Sequence, residues 1–130
     1  MDRSKYHRLM FLIAAIWNWA LAATFLILPR IDINYFLLGG YTIPPTLLWF
    51  DCFMGEILAF GFGFYIVSLN VKANHGIIVI GAFEKLWVFA LSLYYFLIHE
   101  ATPLLLLVVV GDLLFALLFI EDLRAIRRMT

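Results

Sequence analysis

Four stretches of the chain are almost wholly apolar, and short polar or turn-forming segments separate them. They cover about 9–28, 46–69, 76–98 and 103–120. Each is long enough, at ~1.5 Å per residue, to cross the ~30 Å hydrocarbon layer of a bilayer as a helix. Runs that are apolar on every side predict helices surrounded by lipid and by one another. Pro29 and Arg30 mark the end of the first run. Asn70-Val71-Lys72-Ala73-Asn74-His75 is a short polar link, which makes the second and third runs antiparallel neighbours. His99-Glu100-Ala101-Thr102-Pro103 turns the chain into the fourth, with Pro103 suited to a first helical turn. The expected fold is all-α: a polytopic membrane protein, a four-transmembrane-helix antiparallel bundle, with residues 1–130 as one integral membrane domain.

A cleaved secretory signal is the rival reading of the first run, because Ala20-Leu21-Ala22 stands behind the basic leader Arg3, Lys5 and Arg8. The apolar run continues to Leu28, beyond the roughly 7 to 15 residues of a signal core, so the segment is expected to stay. The one long connection, 30–45, is itself apolar. Tyr35, Phe36 and Tyr41 suit the headgroup layer, and Gly39-Gly40 and Pro44-Pro45 mark turns. This connection is expected to lie on the bundle, as an interfacial anchor or as a lid over an outward-facing cavity.

Spacing within the runs predicts faces. Ala14, Asn18 and Ala22 recur every four residues in the first run, a stripe of small side chains around one amide. Gly55, Ala59 and Gly63 do the same in the second, the small-xxx-small pattern of a helix-packing seam. Glu56 is then expected at the edge of that seam, and Asp51 near the outer end in headgroups or water.

Composition agrees with the pattern: 65% of residues are hydrophobic and 14% charged, against about one-quarter charged in soluble domains. Formal net charge is zero, and no basic block suggests a nucleic-acid partner. The single cysteine, Cys52, excludes an internal disulfide. Basic residues orient the chain. Arg3, Lys5, Arg8, Lys72, Arg124, Arg127 and Arg128 fall on one side and only Arg30 on the other, which predicts both termini in the cytoplasm.

Against this background the charges inside the runs stand out. Counting residues from the helix ends places Asn18, Glu56, Lys85 and Asp112 within roughly 5 Å of the midplane, one per helix, with Glu84 at the same level. A central charge costs about 2.5 to 3.5 kcal/mol on insertion scales, so such residues are expected to face the bundle interior and pair. Three carboxyls against one ammonium predict a layer able to hold an exchangeable proton. The structural alternative is that Lys85, Asp112 and Asn18 only fix which helices meet.

Other chemistry is sparse. His7 and His75 share a depth, as a bis-histidine haem would require, but histidines in interfacial segments are commonly solvated polar groups. Aromatic residues, among them Trp17, Trp19, Phe60, Phe64, Tyr65 and Trp87, suit either packing or a quinone, lipid or isoprenoid ligand. No H-E-x-x-H, G-x-S-x-G or phosphate-loop motif is present, so neither a metal nor catalytic residues are assigned.

Ile16-Trp17-Asn18, Gly61-Phe62-Gly63-Phe64-Tyr65, Gly81-Ala82-Phe83-Glu84-Lys85 and Gly111-Asp112-Leu113-Leu114-Phe115 resemble segments of small, uncharacterised bacterial four-span inner-membrane proteins of the DoxX-like group. The resemblance implies a four-helix membrane bundle in a bacterial inner membrane and implies no activity. Three functions remain open. The first is a small carrier or proton-coupled protein using Asn18, Glu56, Glu84, Lys85 and Asp112. The second is a quinone- or lipid-binding enzyme or redox accessory protein. The third is a non-catalytic subunit, or a homo-oligomer, that packs through Gly55, Ala59 and Gly63.

Overall fold

The structure, a computed structural model, describes residues 2–129. Helix α1 covers Arg3–Ile31, α2 Leu48–Leu69, α3 His75–Leu97 and α4 Pro103–Met129, and a short 3₁₀ helix occupies Ile33–Leu38. All four α-helices are long and apolar enough to cross a membrane, so the chain is a small all-α membrane bundle. The outer two helices overrun the predicted spans. Their polar ends are helical as well, and there Arg3 of α1 reaches Glu121 of α4 at 3.0 Å. Pro29 does not end α1. A proline removes one donor and crowds the carbonyl four residues back, yet the helix keeps its last turn, and Asp32 N–H reaches the Leu28 carbonyl at 3.0 Å.

The helices pair as two close antiparallel hairpins, α1 with α2 and α3 with α4, while α2 and α3 meet over a shorter stretch. Two tryptophans of α1 pack against glycines of its neighbours. A Cβ on Gly61 of α2 would lie 2.5 Å from the Trp19 ring, and one on Gly111 of α4 would lie 2.6 Å from Trp17. Successive helical residues point about 100° apart. With Trp17 turned toward α4 and Trp19 toward α2, Asn18 between them is directed into the bundle, where it is 1% exposed.

The small-residue stripe of α2 makes little contact within the chain. Gly55 and Ala59 are exposed on the outer surface of α2, and a Cβ on Gly55 would meet nothing within 4 Å. Only Gly63 touches a neighbour, Ile77 of α3. The buried positions of α2 are Met54, Gly61, Phe64, Val67 and Ser68. A helix that is apolar all round can present any face inward, and here large rings rather than small residues decide which. Phe64 is fully buried and packs edge-on against Phe119, at 5.0 Å between centroids.

The two ends of the bundle differ. Toward the termini, Met10, Phe11, Ala14, Ala15, Phe64, Val67, Ile78, Ala82 and Phe119 form one solid core. Burying such side chains stabilises the fold by roughly 1.5 to 3 kcal/mol each for the larger ones. Toward the loops, the connection after α1 folds back onto the α3–α4 turn. Gly40 pairs with Ala101 as an isolated antiparallel bridge, Thr102 N–H donates to the Gly39 carbonyl at 3.1 Å, and the Thr102 hydroxyl donates to the Leu38 carbonyl. Phe36 packs on Phe50. The apolar connection therefore lies on the bundle, as expected from its sequence. Asp51, at the outer end of α2, forms a solvent-exposed two-point ion pair with Arg30, at 2.7 and 3.3 Å, so that basic side chain is matched.

Helix α3 ends in a left-handed turn. Glu100 N–H reaches back to the Tyr95 carbonyl and His99 N–H to that of Phe96, with His99 at φ 62° where glycine is usual.

Candidate functional site

One chain of hydrogen bonds joins all four helices where the solid core ends. Asn18 of α1 donates through Nδ2 to the Ile57 carbonyl of α2 at 3.1 Å, and accepts at Oδ1 from Lys85 Nζ of α3 at 3.0 Å. Lys85 donates again to Asp112 Oδ1 of α4 at 2.7 Å. The ammonium is 1% exposed and lies 5.4 and 5.5 Å from the ring centroids of Phe64 and Phe115. Two acceptors and two aromatic faces replace the water it has lost, the compensation that burial of an ammonium requires. Each donor is fixed by its neighbours: Asn18 by the flanking tryptophans, and Lys85 by a length that reaches across from α3.

Of the five residues predicted for the midplane, the structure brings together Asn18, Lys85 and Asp112 and sets Glu84 beside them. Glu84 Oε2 is 4.0 Å from Lys85 Nζ, is buried, and accepts no hydrogen bond. Glu56 does not join. It lies exposed on the outer face of α2 with Gly55 and Ala59, because α2 is turned to bring Met54, Gly61 and Phe64 inward. Counting residues gave its depth but not its direction.

The chain's last member, Asp112, also forms the floor of a cavity of about 530 Å³ in the loop half of the bundle. Leu21 and Phe25 of α1, Phe53 of α2, Trp87 of α3 and Val108 of α4 line its walls, and Tyr35, Phe36, Gly39 and Gly40 of the connection lie over it. This volume is within the ~300 to 1,000 Å³ of small-molecule sites. Below Asp112, aromatic rings pack toward the other end: Phe115 is tilted against Phe119 at 6.2 Å and Phe11 stacks on it at 4.8 Å.

A second polar cluster, outside the predicted fourth span, lies at the terminal end of the bundle. Asp122 is 0% exposed and touches His7 Nδ1, while Arg3 Nε donates to His7 Nε2 at 3.2 Å. Nε2 is thus the acceptor from Arg3, and Nδ1 faces the Asp122 carboxylate. Both ring nitrogens of His7 are engaged, whereas His75 is exposed with Nδ1 3.4 Å from the Lys72 carbonyl. The two histidines therefore do not present a pair of free axial ligands. Extending the Ala14, Asn18, Ala22 stripe backward by helical steps reaches Phe11 and His7, a signal that was present. Among the described residues no three His, Cys, Asp or Glu side chains group as a metal site.

Comparison of the chain with protein-family models, with curated proteins and with solved structures gives no match. The class defined by fold and site is a small four-helix membrane protein with an interhelical cavity ending on a buried ion pair.

Proposed function

We propose that the chain is a small membrane carrier that takes a ligand into the interhelical cavity and couples its occupancy to the Lys85–Asp112 pair. One observation carries this reading: the cavity floor is Asp112, and Asp112 is also the end of the hydrogen-bond chain that spans all four helices. A ligand group or a proton at Asp112 competes with Lys85 for the same carboxylate. That gives two alternative arrangements of one polar layer, the kind of two-state element whose populations a ligand shifts. The excess of basic residues at the terminal end supports cytoplasmic termini, with the cavity opening away from the cytoplasm. The DoxX-like resemblance supports a bacterial inner membrane.

The test is reconstitution in liposomes carrying an internal pH dye and an imposed pH gradient. Wild type should dissipate the gradient when a transported ligand is supplied, and a folded Lys85→Met/Asp112→Leu double variant should not. A double variant both stable and active would make the polar layer scaffolding. The aromatic walls favour a second reading, a protein that holds a quinone or lipid without moving it. Mass spectrometry of chain purified from native membranes separates the two: a stoichiometric amphiphile together with an unchanged pH gradient supports holding.

A further inference from the structure

We propose that the cavity takes a cationic amphiphile, an apolar body bearing one positive charge, with the cation seated at Asp112. This rests on the cavity being a ligand site and adds the sign of the ligand's charge. Among the residues lining the cavity the charged ones are Asp112 on the floor and Glu100 at the mouth, and none is Lys, Arg or His. Lys85 is adjacent but sealed, at 1% exposure, behind its bonds to Asn18 and Asp112. An anionic ligand would have to displace Asp112 to reach the ammonium. A cation meets the carboxylate directly.

Charge balance in the layer points the same way. Lys85 is matched by Asp112 at 2.7 Å and has Glu84 as a further carboxyl at 4.0 Å, so the cluster offers no unmatched positive charge to an anion. An anion added there would be an uncompensated charge in surroundings where that is costly. The walls suit the same ligand. Phe25, Phe36, Phe50, Phe53, Trp87 and Tyr95 offer ring faces and apolar surface, and aromatic faces attract cations with poorly hydrated charge. At the surface, Arg30 is matched by Asp51 while Glu100 at the mouth is exposed, which favours the approach of positive charge.

Two probes of the same shape and opposite charge test this: tetraphenylphosphonium and tetraphenylborate, measured by equilibrium dialysis against the full chain in detergent. Val108→Trp, which fills the cavity, provides the blank for partition into the micelle; Leu105→Trp replaces it if that chain does not fold. The expected result is saturable binding of one tetraphenylphosphonium per chain, lost in the filled variant, with tetraphenylborate weaker by about tenfold or more, the scale of one charge-assisted contact. Asp112→Asn should lower the cation's affinity by a similar factor, and Glu100→Gln by roughly two- to threefold, the size of an exposed charge effect. Equal or tighter binding of the borate overturns the proposal without any variant, as does undiminished cation binding in a folded Asp112→Asn chain. If both ions bind equally and both are excluded by Val108→Trp, the cavity stands as a ligand site and only the charge assignment fails. If filling the cavity changes the binding of neither ion, the cavity reading itself fails.

Discussion

Removing one partner of the Lys85–Asp112 pair at a time should produce unequal losses of stability. The structure gives the order. Asp112→Leu leaves an ammonium that is 1% exposed and keeps only its bond to Asn18. Breaking a buried pair from one side costs about 3 to 5 kcal/mol, and the nearest replacement, Glu84 at 4.0 Å, returns part of that. Lys85→Met leaves Asp112, which borders the cavity, can be reached by water, and can escape its charge by binding a proton. The expected cost there is about 2 to 3 kcal/mol, chiefly the lost charged hydrogen bonds to Asp112 and Asn18. The double change Lys85→Met with Asp112→Leu removes both charges at similar volume and should cost less than Asp112→Leu alone. Adding Glu84→Gln to Asp112→Leu removes the fallback and should deepen the loss. Reversible unfolding in mixed detergent micelles measures all of these, and the double-mutant cycle isolates the coupling. Two results would refute the reasoning: Lys85→Met as damaging as Asp112→Leu, or a double variant whose loss is the sum of the single ones. The first would mean that Asp112 is not reached from the cavity, and the second that the pair is not coupled.

Further outcomes follow from the packing. Gly61→Leu drives a side chain into the Trp19 ring and should cost about 3 kcal/mol or more in the same unfolding assay, whereas Gly55→Leu, with open space around it, should be nearly neutral. His99→Gly relieves a left-handed backbone and should raise stability by roughly 1 kcal/mol, read as an upward shift in the unfolding midpoint. His7→Phe removes the ring nitrogen facing fully buried Asp122 and should cost about 1 to 3 kcal/mol, much of it recovered when Asp122→Leu is added. Reporter fusions at either terminus should read cytoplasmic, and one inserted after Thr42 the opposite side.

How much of this was legible in the sequence depends on which coordinate is asked for. Depth along a helix is residue count multiplied by a fixed rise, so the common level of Asn18, Lys85 and Asp112 could be read directly, and they meet within hydrogen-bond distance. Direction around the helix is different, because it is ordinarily inferred from the contrast between a polar and an apolar face. In a soluble helix water supplies that contrast. Helix α2 has almost none, so Glu56 and the Gly55, Ala59, Gly63 stripe had a reliable level and no reliable azimuth, and the structure turns most of that face outward. Where a polar residue is flanked by two bulky ones the ambiguity disappears. Trp17 and Trp19 must each find a glycine, Gly111 and Gly61 supply the places, and Asn18 is left only the interior. The same logic explains why the cavity was not readable. A void is what remains when large side chains from separate helices stop short of one another, and Leu21, Phe53, Trp87 and Val108 do so only once all four directions are fixed. The charged layer thus falls at the boundary between two kinds of packing, rings filling the terminal half and open space in the loop half. That boundary, rather than the presence of charge in the membrane, is what makes Asp112 accessible from one side and leaves Lys85 accessible from neither.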